Sequence, residues 1–361
     1  MSVDLTSLRS QKITQLVETA LRLGLDNASN LQKQELVFEI VRRQPDSGLV
    51  RGAGVLEILP DGFGFLRSTD ANYLPGSDDI YVSPSQIRRF NLRTGDLITG
   101  RVRAPKEGER YFALIKIETV NSRSPEVERE KLLFSNLTPV IPSRPLPTDD
   151  RPIFAGLDSA APLAYGQRVV VVSGSGQERR VFLTSLIEVL PEEAVCMLLL
   201  VDARPEDVTA LRREVSAEVI ATTLDELPTR HVQVAEMAME RAQRVVEQGR
   251  DVVLMIDSIT RLTRALYATS GRATPDLITS YQVRSLFSAG RQLEEGGSLT
   301  IIATASAGDD PGGTSLIEEL RSAANAFVTL RDGQVDPEQS TARHTEHYVS
   351  SGDPAASHRD G

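Results

Sequence analysis

The chain has 361 residues, 40% of them hydrophobic and 25% charged, which is material for two or three globular domains. A net charge of −10 excludes a surface built uniformly to hold nucleic acid, while leaving room for a local basic patch. Cys196 is the only cysteine, which excludes a disulfide framework and a cysteine zinc site, and no apolar run approaches the ~20 residues of a bilayer span.

The first segment, 1–48, predicts a small helical subdomain. Leu5, Leu8, Ile13, Leu16, Val17, Ala20 and Leu23 recur at helical spacing, Gly24 stops the run, and a second helix begins after Asn30. The amphipathic N-terminus carries no signal-like apolar region, so a reducing, cytoplasmic setting with no membrane partner is the expectation. Residues 49–122 change character: GAGVLEIL, GFGFLRS, DIYVSP, DLITGRVRA and YFALIKIETV are short strands separated by turn residues, a pattern for a small antiparallel barrel.

Within that barrel Phe63 and Phe65 lie two apart, on one face of a strand, with Arg67 continuing the face. Tyr81 comes from another strand, and Glu109 and Tyr111 from a third. Arg88, Arg89, Arg93, Arg101, Arg103, Lys106 and Arg110 lie around them in sequence. Aromatic platforms among cations suit single-stranded nucleic acid, at ~1–3 kcal/mol per stacked base. A carboxylate there can accept from the exocyclic amine of cytosine. The competing reading makes Phe63 and Phe65 barrel core and the charges a solvated rim.

Residues 123–160 are rich in proline (Pro125, Pro139, Pro142, Pro145, Pro147, Pro152) and predict a linker. From 161 to 332 apolar strands alternate with helical runs, which predicts a largely parallel sheet covered on both faces. The polar remainder, 333–361, predicts a disordered tail whose His344, His347 and His358 are solvated, with no ordered carboxylate set beside them.

VVVVSGSGQERRVFL (169–183) has the strand, glycine turn and helix of a phosphate loop, through Gly174 and Gly176. It lacks the lysine that such a loop needs. Arg179 has the charge but not the compact geometry, Arg180 stands where a metal-binding hydroxyl is wanted, and Glu178 sets an anion where another must bind. Asp257 ends the apolar strand DVVLMID, where a Mg²⁺-organising carboxylate belongs, although a helix N-cap explains it as well.

The stretch GVLEILPDGFGFLRSTDANYLPGSDDIYVSPSQIRRFNLRTGDLITG, together with LLFSNLTP, RHVQVAEMAMERAQRVVEQGRDVVLMIDSITRLTRA and EEGGSLTIIATA, resembles the bacterial transcription termination factor Rho family over about residues 5–330. The resemblance implies a helical N-terminal subdomain, an OB-type, cold-shock-like barrel for pyrimidine-rich RNA, and a RecA-like α/β ATPase that assembles as a hexameric ring. By matching motif, Phe63, Phe65, Arg67, Tyr81, Glu109 and Tyr111 are the RNA-binding set, with Arg88 and Lys106 beside it. In the family a Gly-Lys-Thr stands at Glu178, Arg179 and Arg180, and a catalytic glutamate stands at Ala203; Asp202, Arg204 and Asp257 match. The two pore-loop segments, between Arg264 and Phe287 and at 306–316, contain no lysine, and the family's segment with the inter-subunit arginine finger has no match after AFVTLRD. The expectation is therefore an RNA-binding relative with no catalytic residues, and with ATP and Mg²⁺ as cofactors only under the alternative of an active RNA-dependent ATPase. Its expected partners are C-rich single-stranded RNA, intact Rho subunits in homo- or hetero-oligomers, and the RNA polymerase complex.

Overall fold

The computed structural model describes residues 4–43, 50–106, 108–128, 132–270, 277–306 and 311–349. They fall into two compact units, 1–131 and 132–361.

In the first unit three helices, α1 (Leu5–Arg9), α2 (Ile13–Arg22) and α3 (Lys33–Arg43), precede a closed five-strand barrel. Its strands are β1 (Val50–Ile58), β2 (Gly64–Arg67), β3 (Ile80–Val82), β4 (Leu97–Arg103) and β5 (Phe112–Val120), in the order β1-β2-β3-β5-β4. The pairings are antiparallel except β3 with β5, which is parallel. A short helix, α4 (Pro84–Arg89), starts on a capping box in which Ser83 and Gln86 exchange hydrogen bonds.

Helices and barrel are not separate cores. Leu5, Leu16, Leu36 and Ile40 pack into one apolar cluster with Leu56, Leu66, Ile80, Ile98 and Phe112. A Cβ on Gly52 would sit 2.8 Å from the Ile80 side chain, 3.3 Å from Val102 and 3.4 Å from Leu5, so glycine leaves room for these side chains against β1. Arg9 locks the contact: its buried guanidinium donates to the Asp78 carboxylate, the Asp78 carbonyl and the Ala53 carbonyl.

In the second unit the segment expected as a linker from 123 to 160 is, from 132 onward, part of the α/β body. Following α5 (Pro125–Glu128) in the first unit, β6 (Pro139–Val140) pairs antiparallel with β11 (Arg291–Leu293). Arg144 makes a bidentate contact with Asp251 at 2.5 and 2.8 Å, and Ile153, Phe154 and Leu157 at the start of α6 (Leu157–Ala160) are core residues. Short 3₁₀ turns at Phe134–Asn136 and Pro152–Phe154 interrupt the stretch, the second opening on a proline.

The sheet runs β14 (Gln334–Val335), β13 (Ala326–Arg331), β7 (Arg168–Ser173), β12 (Ser298–Ser306), β10 (Asp251–Asp257), β8 (Val195–Ala203), β9 (Glu218–Thr223), with the strands from β13 to β9 parallel. Their apolar runs are buried, as a parallel sheet demands. The connecting helices are α7 (Gly176–Val189), α8 (Pro205–Glu214), α9 (Pro228–Val246), α10 (Ile259–Ser270), α11 (Leu277–Phe287) and α12 (Pro311–Ala323). Cys196 on β8 is buried, and desolvation pushes its thiol up to about 12, which is the behaviour of a small hydrophobe.

The expectation of a disordered tail from 333 is corrected over 333–349; residues 350–361 lie outside the described ones. β14 and β15 (Thr341–Ala342) both pair with β13, and Tyr348 is buried, its hydroxyl accepting from Gln167 at 2.7 Å and donating to the Pro162 carbonyl at 3.2 Å. A polar sequence is ordered here by backbone pairing and one buried aromatic, neither of which composition reveals.

Candidate nucleic-acid interface and phosphate loop

In the barrel, β2 and β3 place Phe65 directly opposite Tyr81, and Tyr111 stands just before β5. Ring centroids are 5.8 Å apart for Phe63–Phe65, 5.7 Å for Phe63–Tyr81 and 4.7 Å for Phe65–Tyr111. The four aromatics thus form one cluster with graded exposure: Phe65 is 8% exposed, Phe63 and Tyr81 are half-buried, and Tyr111 is 38% exposed. Phe65 is the buried footing, and Phe63, Tyr81 and Tyr111 carry the exposed ring area. Phe65 is core, as the competing reading has it.

Arg67 lies against the aromatic cluster. It is buried, stacked 5.0 Å over Phe65, and bonded to Glu57 and Asp79. Its charge is compensated within the barrel wall, so it holds the platform in place.

Glu109 is exposed, yet Arg103 donates two hydrogen bonds to it at 2.6 and 2.9 Å and the Lys106 backbone N–H donates a third at 3.0 Å. Arg103 first, then that backbone N–H, hold its carboxyl down at about 2, so it is an acceptor at any physiological pH. Tyr81, Tyr111, Arg103 and Glu109 surround a cavity of about 530 Å³ with Ser83 and Gln86 of the α4 cap. Sequence reading missed Ser83 and Gln86; the S-x-x-Q cap signature marks the start of α4 but not its place at this cavity. Arg88 and Lys106 are exposed and are not among the residues lining it.

In the second unit the loop between β7 and α7 has the expected strand–turn–helix form, with Ser175 as N-cap accepting from the Glu178 backbone at 3.4 Å. The Glu178 carboxylate accepts from the Ser173 hydroxyl and, at 2.9 Å, from the Gly333 N–H just beyond β13. Arg179 is buried and folds back, donating to the Ser173 carbonyl at 2.7 Å. Among the described residues its Nε has no hydrogen-bond partner; it lies 3.9 Å from Asp257, and burial pulls its pKa down. Arg180 turns to Asp207 and Glu214, at 3.5 and 2.7 Å.

The singled-out loop residues separate into two hollows. Gly176, Arg179, Arg180, Ala203, Arg204 and Asp257 line a cavity of about 340 Å³, joined by Asp207 and Arg261. Gly174 and Glu178 line another, of about 440 Å³, with Arg331 and Asp332. Arg261, which sequence reading did not single out, donates to the carbonyls of Val201 and Asp202 at 3.3 and 2.9 Å and so fixes the end of β8. Asp257 accepts from the Thr304 hydroxyl at 2.6 Å. Both pore-loop segments fall partly outside the described residues, at 271–276 and 307–310.

Family models match in three consecutive blocks: the Rho termination factor N-terminal domain at residues 7–48, the Rho termination factor RNA-binding domain at 52–126, and the ATP synthase alpha/beta family nucleotide-binding domain at 154–336. Among curated relatives, the transcription termination factor Rho of Pseudomonas fluorescens biotype C is 47% identical over 322 residues, 84% of this chain and 76% of that protein. That of Escherichia coli strain K12 is 46% identical over 321 residues, with the same coverage. Two solved structures share the fold over 60% of this chain. A type III secretion system ATPase matches at TM-score 0.52 and 22% identity, covering 66% of that chain, and the ATP synthase subunit NeqB of Nanoarcheaum equitans at 0.51 and 17%, covering 59%.

Proposed function

The chain belongs to the transcription termination factor Rho family, and from that premise we propose that it binds pyrimidine-rich single-stranded RNA without hydrolysing ATP. On this reading it tempers termination, either by occupying C-rich transcripts or by entering rings of hydrolytic Rho subunits. The RNA half rests on the barrel. Tyr81 and Tyr111 offer ring faces on a buried Phe65 footing, and the permanently charged Glu109 beside them accepts from the amine edge of cytosine.

The hydrolytic half rests on one observation: the N-terminal end of α7 already holds a carboxylate. Glu178 takes the Ser173 hydroxyl and the Gly333 N–H, so an incoming phosphate meets a like charge where this fold should welcome it. Mg²⁺ fits no better. It requires near-octahedral oxygen ligands, whereas the cavity presents Arg179, Arg180, Arg204 and Arg261, Asp207 is paired with Arg180, and Asp257 faces Arg179 and Thr304. Ala203 supplies no base to orient water. Since phosphoryl transfer depends almost wholly on positioning and electrostatic stabilisation, these replacements remove its working parts together.

One observation favours the second reading, an RNA-dependent ATPase: Asp257 and Arg204 line the same cavity. Oligo(C) affinity and ATP hydrolysis of the full chain decide between the two. The expected result is oligo(C) binding that Tyr81→Ala or Tyr111→Ala weakens by about 5- to 150-fold, the equivalent of ~1–3 kcal/mol, with hydrolysis at buffer background. Hydrolysis stimulated by oligo(C) and abolished by Asp257→Ala would establish the second reading instead. Co-elution with an intact Rho at the size of mixed rings separates ring entry from simple competition for RNA.

A further inference from the structure

The segment 343–349 ends in a pinned turn. Arg343 N–H donates to the Asn325 carbonyl at 2.8 Å, Tyr348 is buried with its hydroxyl bonded to Gln167 and Pro162, and Val349 N–H closes back on Thr345 at 2.9 Å. Between these anchors Thr345–His347 form one 3₁₀ turn, with His344 as its left-handed cap at φ 60°. The left-handed cap and the turn after it bring the imidazoles of His344 and His347 near one another, their ring centroids 6.3 Å apart.

Glu346 reaches the same place. Its Oε1 lies 3.7 Å from His344 Nδ1 and 3.5 Å from His347 Nε2, and the three ligand atoms all lie within 4.8 Å of one another. The expectation that no ordered carboxylate accompanies these histidines is thereby corrected; His358 lies outside the described residues. Both contacts are longer than a normal hydrogen bond. They are close to the ~3.4 Å ligand–ligand spacing of a tetrahedral ion held by bonds of ~2.0–2.2 Å. All three side chains are exposed, so rotation about their χ angles can close ligand spacings of up to 4.8 Å.

We propose that His344, Glu346 and His347 form a binding site for a borderline divalent transition metal, Zn²⁺ in the first place, with water completing the tetrahedron. Two imidazoles and one carboxylate favour zinc, nickel or copper over magnesium or calcium, which take oxygen ligands. The ion would bind a turn whose backbone is already fixed to β13 and Gln167, and so stabilise the second unit.

The test is titration of the full, untagged chain with Zn²⁺, and with Co²⁺ as a visible-absorbing stand-in. Saturable one-to-one binding is expected, with tetrahedral Co²⁺ bands that Zn²⁺ displaces and millimolar Mg²⁺ does not, and a rise in thermal midpoint. His344→Ala and His347→Ala should each weaken binding at least about tenfold and abolish the thermal shift, while His358→Ala leaves both unchanged. Absence of saturable binding, binding indifferent to the two variants, or loss in His358→Ala alone would overturn the proposal. The outcome is independent of the RNA reading, because oligo(C) affinity is measured separately on the same variants.

Discussion

Glu109 shows how much one residue's neighbours decide about its chemistry. Exposed carboxylates ordinarily titrate near their free values, but the Arg103 fork and the Lys106 N–H stabilise this one's anion. The sign follows: with its pKa lowered to about 2, the group stays ionised as pH falls through the ordinary carboxylate range and is lost as an acceptor only near pH 2. Oligo(C) affinity between pH 5 and 8 at fixed salt is therefore expected to show no inflection from Glu109, while Glu109→Gln weakens binding across that whole range. Equal affinities of the Glu109→Gln variant and the native protein in a fluorescence-anisotropy titration would remove Glu109 from base recognition. The residue types of this face were legible in sequence because a strand puts alternate residues on one side, which marks Phe63, Phe65 and Arg67 together. That Phe65 is footing and Arg67 is neutralised by Glu57 and Asp79 was not, since both depend on partners brought in by other strands.

At the scale of the element, α7 is a helix whose N-terminus is served from within the chain. Its dipole favours an anion there and Glu178, in its first turn, supplies the charge, while Ser175 accepts from the Glu178 N–H. The same carboxylate fastens Gly333, so the helix start and the strand end behind it are one unit. Glu178→Ala strands the Gly333 N–H and frees the Ser173 hydroxyl, and is expected to cost ~1–3 kcal/mol. A lowered denaturation midpoint, with faster hydrogen exchange at the Gly333 amide, measures it; unchanged exchange there would show that the contact contributes nothing. The glycine turn was readable from SGSG, and the electrostatic conflict of Glu178 with phosphate was readable from its position. The identity of its donors was not, because Gly333 lies 155 residues away in sequence.

At the scale of the whole molecule, the second unit is closed at one side by a stretch that composition assigns to disorder. β14 and β15 add to β13, and Tyr348 reaches into the body to satisfy the buried Gln167, which itself accepts from the Ala164 N–H at 2.9 Å. Burial pushes the Tyr348 hydroxyl up to about 12, so it remains a protonated donor and acceptor. Tyr348→Phe leaves the Gln167 amide without that acceptor, and ~1–3 kcal/mol of stability should go with it, a fall in thermal midpoint of roughly 2–12 °C for a unit of this size. An unchanged midpoint would mean that water replaces the hydroxyl. The sequence by itself determined the succession of helical subdomain, barrel and parallel α/β body, because periodicity and apolar runs are local signals that survive without a partner. It also determined which residue types stand in the glycine turn and on the aromatic face of the barrel, because motif spacing is local too. Only the tertiary structure decided that the proline-rich 132–160 and the polar 333–349 belong to the body, that Arg67 is spent inside the barrel, and that His344, Glu346 and His347 meet. Each of these rests on contacts between segments distant in the chain, or on a turn whose shape is held by its anchors, and neither is written in the run of residues that takes part.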